Sequence, residues 1–286
     1  MKLFITGYSG QLGYDVAKAA VARGYEYFGV SSRDLDITDR ESTVRMISEY
    51  APDAVVHCAA YTKVDLAEDE REQCMKVNAL GTRNIAEACR IAGCRMMYIS
   101  TDYIFDGQGT EPWKPESEDY APLNVYGQSK LEGELAVREL LEKFYIVRIA
   151  WVFGVNGSNF IKTMLKVGKS HDSVRVVNDQ IGTPTYTADL ARLLVDLLET
   201  EKYGIYHATN EGGYISWYDF CCEIYRQAGL PTEVIPVTTE EYGLSKAKRP
   251  FNSRLDKSKL RENGFEPLPD WKDAVTRYLK EIGETE

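Results

Sequence analysis

The chain has 286 residues, of which 44% are hydrophobic and 27% are charged, and its formal net charge is -10. These proportions are ordinary for a globular protein, and the length suits one α/β unit with a smaller second lobe. The acidic balance argues against a nucleic-acid-binding surface, although a local pocket for an anionic nucleotide can still be positive. No apolar run is long enough to span a membrane, and a strand pattern already begins at residue 2. We therefore expect a cytoplasmic protein with no signal peptide and no membrane contact.

The first element is a short buried strand, near 2–6, that leads into a glycine-rich turn. A helical pattern near 11–23 follows the turn. Strand, glycine-rich turn and helix in this order are the setting of a dinucleotide fingerprint, in which the backbone approaches a pyrophosphate at the helix N-terminus. The spacing here is GxxGxxG rather than GxGxxG. The residues predicted to bind the cofactor in this turn are Gly7, Gly10, Gln11, Leu12 and Gly13.

The end of the second strand, near 25–31, indicates which nicotinamide cofactor is used. An acidic residue there would bind the ribose 2′-hydroxyl of NAD. This chain instead has Ser31, Ser32 and Arg33. Two hydroxyls and a guanidinium suit a 2′-phosphate, so we predict NADPH, with NADH as the alternative. The alternative for Arg33 is a solvated turn residue.

Strands and helices alternate through the first half of the chain, which predicts a doubly wound parallel sheet covered on both faces. Further strands in this half are predicted near 54–58, 95–100 and 145–150, and further helices near 40–50, 70–92 and 125–142. Beyond Trp151 the alternation is less regular. There we predict helices near 158–168, 187–199, 217–228 and 270–282, and strands near 174–178 and 204–207.

These elements predict an α/β fold with two parts. The first is a Rossmann domain over 1–151 that binds the dinucleotide. The second is a smaller, interleaved α/β lobe over 152–286 that mainly binds substrate. We expect segments near 174–208 to return to the main sheet.

Tyr126 and Lys130 are four residues apart in a predicted helix, so their side chains lie one turn apart on the same face. A lysine ammonium near a phenol favours the phenolate and lowers a pKa that starts near ~10. Thr101, at the end of an apolar strand, supplies a hydroxyl for the same reacting oxygen. We predict that these three residues form an acid–base site. For the Tyr–Lys pair alone, a solvated helix face is the alternative.

The six cysteines and three histidines show no CxxC pair and no zinc-binding spacing. Several of the cysteines fall in or beside apolar elements, where a thiol usually packs as a small hydrophobe. We therefore predict structural roles and no metal site. The residues are Cys58, Cys74, Cys89, Cys94, Cys221 and Cys222, and His57, His171 and His207.

Several longer segments resemble the extended short-chain dehydrogenase/reductase family, in its nucleotide-sugar reductase subfamily. The resemblance runs from residue 2 to about residue 280 and includes the glycine-rich turn, Thr101 and the Tyr126-xxx-Lys130 motif. The other matching segments are residues 59–65, 100–107, 122–127, 148–153, 178–185 and 249–253.

This resemblance implies an NADPH-dependent reduction of the 4-keto group of dTDP-4-dehydro-6-deoxy-L-mannose, for cell-surface polysaccharide synthesis. Tyr126 would deliver the proton and Lys130 would bind the nicotinamide ribose, and both would thereby contact the cofactor. The resemblance also implies a homodimer.

The same resemblance assigns further contacts. The additional cofactor contacts are Ser31, Arg33, Asp36, Ile37, Ala59, Ala60, Tyr61 and Thr62. The substrate contacts are Thr62, Val64, Thr101, Asp102, Tyr103, Tyr126, Trp151, Asn159 and Arg249, with Lys162 as a further candidate for a phosphate. The alternatives are a turn or cap role for Asp36, core packing for Trp151, and simple solvation for the basic residues.

Three other functions fit the same fold. Nucleotide-sugar 4,6-dehydratases carry an acidic pair after the threonine, whereas this chain has Tyr103 at the second position, which favours simple reduction. An epimerase would use the same tyrosine and lysine. A non-catalytic subunit similar to the regulatory β subunit of methionine adenosyltransferase would bind the nucleotide alone. Because Thr101, Tyr126 and Lys130 are present together, the enzyme is favoured over this subunit.

Overall fold

The computed structural model describes residues 1–285 as a three-layer α/β domain joined to a smaller lobe. In chain order the strands are β1 Lys2–Thr6, β2 Glu26–Val30, β3 Ala54–His57, β4 Arg95–Thr101, β5 Phe144–Ile149, β6 Val152–Phe153, β7 Ser173–Val177, β8 Ile181–Gly182, β9 Thr185–Tyr186, β10 Gly204–His207, β11 Asn210–Glu211, β12 Ile215–Ser216, β13 Glu233–Val237 and β14 Leu268–Asp270.

The α-helices, in chain order, are α1 Gln11–Ala22, α2 Arg40–Tyr50, α3 Val64–Ala67, α4 Arg71–Met75, α5 Thr82–Ala92, α6 Val125–Leu140, α7 Phe160–Gly168, α8 Thr187–Leu198, α9 Trp217–Ala228, α10 Thr239–Tyr242, α11 Ser258–Glu262 and α12 Trp271–Glu281. Within residues 1–285, none of these helices has both the length and the apolar character needed to cross a membrane.

The central sheet has six parallel strands in the order β10-β5-β4-β3-β1-β2. After β1 the chain adds β2 on one side, and it then adds β3 on the other. The order therefore reverses between β1 and β3, and in open parallel sheets this reversal opens a crevice at the carboxyl ends of the strands. The predicted fold class, a doubly wound parallel sheet, is confirmed.

Both faces of the sheet are covered, which explains why its strands read as continuous apolar runs. Side chains alternate between faces along β1: Leu3 and Ile5 pack into one apolar layer with α1 and α8, whereas Phe4 packs into the other with α2, α5 and α6. All three side chains are fully buried. The sheet is thus a rigid platform for the residues that follow its strands.

The helix predicted near 70–92 contains a wider turn. Its middle part, Lys76–Gly81, is π-helical and joins α4 to α5 without a break. Turns of this kind are frequent at functional sites. This one places the buried Asn78 amide against the loop after β3, where it accepts from the Tyr61 backbone N–H at 2.7 Å and donates to the Tyr61 carbonyl at 3.0 Å. The loop after β3 is thereby fixed.

The second lobe has its own apolar core, formed by α7, α9, α12 and short strands around Phe153, Phe220 and Trp271. The segment near 174–208 was expected to return to the main sheet, and only part of it does. β10 pairs with β5 in the main sheet and α8 packs on the sheet, but β7 pairs with β13 in a separate two-stranded sheet. The reason is that β7 buries one face only: Val174 and Val176 pack in the lobe's own core.

The cysteines are all free thiols. Within the described part of the chain, no group of three or more His, Cys, Asp or Glu side chains is arranged to hold a metal ion. Both ring nitrogens of His57 are hydrogen-bonded, to Thr6 Oγ1 at 2.7 Å and to Thr82 Oγ1 at 3.0 Å. The His57 side chain therefore ties β1, β3 and α5 together.

Candidate active site

A cleft of about 910 Å³ opens at the carboxyl ends of the central strands. The turn after β1, the end of β2, the loop after β3, the end of β4 and the start of α6 form one side. The loop after β5 and the start of α9 form the other. The sequence-predicted residues that line it are Gly7, Gly10, Gln11, Leu12, Ser31, Asp36, Ile37, Ala59, Ala60, Thr62, Val64, Thr101, Asp102, Tyr103, Tyr126, Lys130 and Trp151.

The glycine-rich turn is shaped by close backbone approaches. Gly7 has a φ of +66°, and a Cβ there would lie 2.6 Å from the Ala59 backbone nitrogen. A Cβ on Gly13 would lie 2.4 Å from the Gly7 carbonyl oxygen. Gly10 caps α1 without a side-chain hydrogen bond, so the first N–H groups of the helix have no side-chain partner. The turn is therefore a cradle of backbone donors that fits a phosphate group.

At the end of β2, some of the polar groups are hydrogen-bonded to one another. The Ser31 hydroxyl donates to the Asp34 carboxylate at 2.6 Å, and the Ser31 N–H donates to the same oxygen at 2.8 Å. Asp36 lines the cleft and also accepts from the Thr38 hydroxyl at 2.7 Å, which lowers the pKa of Asp36. Arg33 is exposed and lies outside the cleft wall. Asp36 thus holds the turn as well as lining the cleft.

The three predicted acid–base residues line the same cleft, and two local features place them. Thr101 ends β4, and its hydroxyl donates to Asp102 Oδ1 at 3.0 Å. Tyr126 lies in the first turn of α6, and its ring meets the Tyr103 ring edge to face with centroids 5.6 Å apart. A Cβ on Gly127 would lie 2.2 Å from the Tyr103 carbonyl oxygen, so a glycine is required for α6 to start this close to the turn that follows β4.

The electrostatics of Tyr126 differ from the sequence-based expectation. Burial, together with the nearby Asp102 carboxylate, raises the pKa of Tyr126 instead of lowering it. Lys130 is itself buried against β4, with its ammonium 4.2 Å from the Tyr98 ring centre, and this burial lowers the pKa of Lys130 to about 7. The expected lysine-induced lowering was wrong because spacing alone gave no measure of desolvation. The raised pKa keeps Tyr126 a neutral phenol at physiological pH.

Asp102 is a buried carboxyl group in the cleft wall, with only 1% of its surface exposed. Oδ1 accepts from Thr101, whereas Oδ2 has no hydrogen-bond partner within residues 1–285. Burial raises the pKa of Asp102 to about 6, against the opposing effect of its hydrogen bonds. Asp102 therefore keeps one buried carboxyl oxygen next to Thr101 without a hydrogen-bond partner among the described residues.

Replacing Asp102 by asparagine should flatten the dependence of stability on pH. Because its pKa rises from 3.8 in the unfolded chain to about 6 in the folded one, this carboxyl group stabilises the fold most below about pH 4, and that contribution is lost as pH rises through about 6. A shift of about two units corresponds to about 3 kcal/mol. Asp102→Asn should therefore exceed the wild type in free energy of unfolding by up to about 3 kcal/mol at about pH 8, but not at about pH 4. Urea unfolding at both pH values measures this difference, and an equal pH dependence in the two proteins would contradict it.

The family model of the RmlD substrate binding domain matches residues 1–284. The chain belongs to this family. A dTDP-4-dehydrorhamnose reductase from Aggregatibacter actinomycetemcomitans is 41% identical over 288 residues, covering 96% of this chain and 97% of that protein. A dTDP-4-keto-6-deoxy-D-glucose reductase from Streptomyces niveus is 36% identical over 275 residues, covering 96% and 94%. The family resemblance predicted from the motifs is confirmed.

A solved structure of the RmlD family has the same architecture along its whole length. The crystal structure of dTDP-4-dehydrorhamnose reductase from Bacillus anthracis str. Ames, in complex with NADP, superposes with a TM-score of 0.94. Its sequence identity to this chain is 41%, and the match covers 98% of this chain and 99% of that one. The predicted Rossmann fold is thus also that of an RmlD-family enzyme.

Asn159, predicted as a substrate contact, lies outside the lining of this RmlD-family cleft. Its Oδ1 accepts from Lys162 N and caps α7, while its Nδ2 donates to Gln11 Oε1 at 3.0 Å, Gly154 O at 2.9 Å and Tyr278 OH at 2.9 Å. The Lys162 ammonium is bound to backbone carbonyls of the loop before α7. Asn159 therefore joins the second lobe to α1, and Lys162 holds the loop before α7. The Asn159 Oδ1 is committed to the backbone as an N-cap.

Four more predicted contacts lie outside the cleft lining, namely Gly13, Arg33, Tyr61 and Arg249. Gly13 acts by permitting the close approach to Gly7, and the Tyr61 hydroxyl donates to Glu70 at 2.8 Å. Arg249 donates to the Tyr103 hydroxyl at 3.2 Å and to Asp65 Oδ2 at 2.6 Å. Arg249 therefore reaches the cleft through Tyr103.

Trp217, which was not predicted from the sequence, lines the cleft from the start of α9. Its ring stacks on Trp151 with centroids 3.8 Å apart and an interplanar angle of 18°. Trp151 has a φ of +51°, a left-handed conformation that is costly for a bulky residue and that persists at functional sites. The capping box Ser216-x-x-Asp219 predicts the start of a helix but not which side chain faces the cleft. Ser32, whose hydroxyl was predicted to suit a 2′-phosphate, also lines the cleft, and the lining residues that were missed include Ser9, Cys58, Gln73, Ser100 and Ser158.

Proposed function

We propose that this chain is a dTDP-4-dehydrorhamnose reductase, which uses NADPH to reduce the 4-keto group of dTDP-4-dehydro-6-deoxy-L-mannose to the alcohol of dTDP-L-rhamnose. The observation that carries the proposal is the presence of Thr101, Tyr126 and Lys130 in one cleft of a chain that is 41% identical over nearly its full length to a reductase of that name. A purely nucleotide-binding subunit has no use for this trio.

The cofactor fits the residues present. The backbone cradle around Gly7 and Gly10 suits the pyrophosphate, and a Cβ at Gly7 would obstruct it. Ser31, Ser32 and Arg33, at the end of β2, are the groups for a 2′-phosphate. NADPH supplies a hydride equivalent to the ketone carbon when it is bound. The protein itself binds and orients the cofactor and the substrate, and it transfers the proton.

Tyr126 is the proton donor of this proposal. Its raised pKa keeps it a neutral phenol across the physiological range, which suits protonation of an oxygen that becomes strongly basic as the ketone is reduced. Thr101 lines the same cleft, where its hydroxyl donates to Asp102 Oδ1 and accepts from the Tyr103 backbone N–H. Lys130 binds the nicotinamide ribose and contributes positive charge near the developing oxyanion.

The sugar lies between the two lobes in this proposal. Tyr103, at the position where dehydratases carry a carboxylate, accepts a hydrogen bond from Arg249 and offers no base for elimination. The Trp151–Trp217 stack forms the opposite wall of the cleft. Thr62 and Val64, after β3, complete the pocket for the sugar.

We further infer that the enzyme acts in the cytoplasm as a homodimer. The six free cysteines suit a reducing compartment, where disulfides are rare. The homodimer is a prediction from the family resemblance alone. Sedimentation equilibrium would test it, with an expected mass of twice the 32.4 kDa chain.

Purified protein should oxidise NADPH when dTDP-4-dehydro-6-deoxy-L-mannose is added, and NMR of the product should identify dTDP-L-rhamnose. The matched comparison is dTDP-4-keto-6-deoxy-D-glucose, the substrate in the name of the Streptomyces niveus relative. The L-manno compound should give the higher kcat/KM, and NADPH should give a higher kcat/KM than NADH. If neither sugar is reduced, the reductase proposal fails, and a preference for the D-gluco compound would replace its substrate.

A further inference from the structure

A buried ion pair lies directly behind the cleft. Glu134 in α6 and Arg148 in β5 both have side chains that are 0% exposed. Arg148 donates to both carboxylate oxygens, through Nη2 to Oε1 and through Nε to Oε2 at 3.2 Å, and the Ser100 hydroxyl donates to Oε2 at 2.8 Å. Arg148 is fixed on its other side by the Pro115 carbonyl at 3.1 Å and the Tyr120 hydroxyl at 3.0 Å. Every partner of the carboxylate is a donor, so Glu134 is held as an anion.

This carboxylate lies near Lys130, although its salt bridge is to Arg148. Glu134 follows Lys130 by four residues in α6, so the two side chains lie one turn apart on the same helix face. That face lies over β4, where the Lys130 ammonium contacts the Tyr98 ring and Ser100, two residues further along, bonds Glu134. Glu134 raises the pKa of Lys130, in opposition to the larger effect of burial.

The other titratable groups that face Lys130 from neighbouring elements are neutral at neutral pH. At the end of β3, burial lowers the pKa of His57 to about 3 and raises the pKa of Cys58 to about 12. Burial also raises the pKa of Cys74 in α4 and of Tyr98 in β4. The carboxylate of the buried ion pair is thus the negative charge set against Lys130.

We propose that Glu134 is a positioning residue for this enzyme: it is the counter-ion that keeps Lys130 protonated in the cleft, and Arg148 and Ser100 hold it in place. The inference rests on the proposed function, because that function gives Lys130 its role beside the nicotinamide ribose. An ammonium offers three donors and a charge, whereas the neutral amine loses the charge and one donor. Without the carboxylate, Lys130 loses its proton at a lower pH, and cofactor binding weakens with it.

The test is the pH dependence of NADPH affinity, measured by fluorescence titration of the wild type and of Glu134→Gln. In the wild type, affinity should fall as pH rises through the pKa of Lys130, near 7. In Glu134→Gln this fall should move down by about one pH unit, so that affinity above the midpoint is about tenfold weaker than in the wild type. The high-pH limb of kcat/KM should move in the same direction.

A matched control separates this role from mere structural support. Asp189 is 6% exposed, and Arg277, which is itself partly exposed, donates to both of its oxygens at 2.7 Å, so the two also form a bidentate arginine–carboxylate pair, but outside the cleft. Asp189→Asn should lower the melting temperature and leave the pH dependence of NADPH affinity unchanged. A Glu134→Asp substitution, which keeps the charge, should restore most of the wild-type pH profile.

Glu134→Gln leaves the Arg148 charge unpaired and risks unfolding, so the double variant Glu134→Gln/Arg148→Met is measured beside it. Removing both charges should still move the NADPH profile to lower pH, by less than the single variant. A wild-type profile in either folded variant overturns the proposal. Because this titration uses no sugar, failure to reduce the keto sugar would count against the proposed function and leave the counter-ion result standing.

Discussion

Replacing Tyr126 by phenylalanine should lower kcat for the ketone reduction by about 10³-fold, the effect expected when a general acid is removed. The ring of phenylalanine keeps the edge-to-face contact with Tyr103 at 5.6 Å, so the cleft retains its shape. NADPH affinity should therefore stay within about twofold of the wild type. Steady-state kinetics at saturating NADPH and a fluorescence titration of the cofactor measure the two quantities.

The matched control is Tyr103→Phe, which removes a hydroxyl from the same cleft. That hydroxyl accepts from Arg249 and takes no part in proton transfer in the proposed mechanism. Its loss should raise KM severalfold and change kcat by no more than about threefold. The loss of kcat in Tyr126→Phe should also be independent of pH. Because the pKa of Tyr126 is raised, Tyr126 stays protonated at high pH, so the ratio of wild-type to variant kcat should be the same at about pH 7 and about pH 9. Full activity in Tyr126→Phe would remove Tyr126 from the mechanism.

The fold could be predicted from the sequence wherever apolar periodicity extends over a whole element. The bounds of every predicted strand and helix fall within two residues of the observed ones, including the helix near 70–92 if its π-helical turn is counted as part of it. The two-residue strands of the second lobe were missed because pairing with distant residues creates them. β13 was missed for a different reason: Pro236 lies inside it, and proline argues against a strand except at an edge, where β13 pairs with β7.

The site could be predicted where a motif follows a strand of the parallel sheet, because the carboxyl ends of such strands meet at one edge. Tyr126 was predicted instead from its four-residue spacing to Lys130 in α6, and Thr101, at the end of β4, belongs to this class. Trp217 does not, since it comes from the second lobe and is brought to the cleft by the packing of α9. The capping role of Asn159 was not predicted, because a helix cap and a ligand contact use the same residue type. The raised pKa of Tyr126 depends on desolvation, which sequence spacing does not report.

Replacing Gly7 by alanine should lower the free energy of unfolding by about 3 kcal/mol, the sum of a left-handed conformation and an overpacked contact. The added Cβ would lie 2.6 Å from the Ala59 nitrogen and 2.8 Å from the Ala59 Cα, and neither backbone atom can move without parting β1 from β3. The cradle for the pyrophosphate lies at this point, so NADPH affinity should fall about tenfold or more. Urea unfolding and a cofactor titration measure the two losses.

Gly93→Ala supplies the control for the backbone conformation. Gly93 has a φ of +70°, close to the +66° of Gly7, but nothing lies within 4 Å of the position where its Cβ would be. Its substitution should cost about 1 kcal/mol of stability and leave NADPH affinity unchanged. The excess loss in Gly7→Ala then measures the contact with the Cys58–Ala59 backbone. Equal losses in the two variants would mean that the close approach of β1 to β3 does not require glycine. The conformation of the turn alone would then explain why the cofactor cradle has a glycine at position 7.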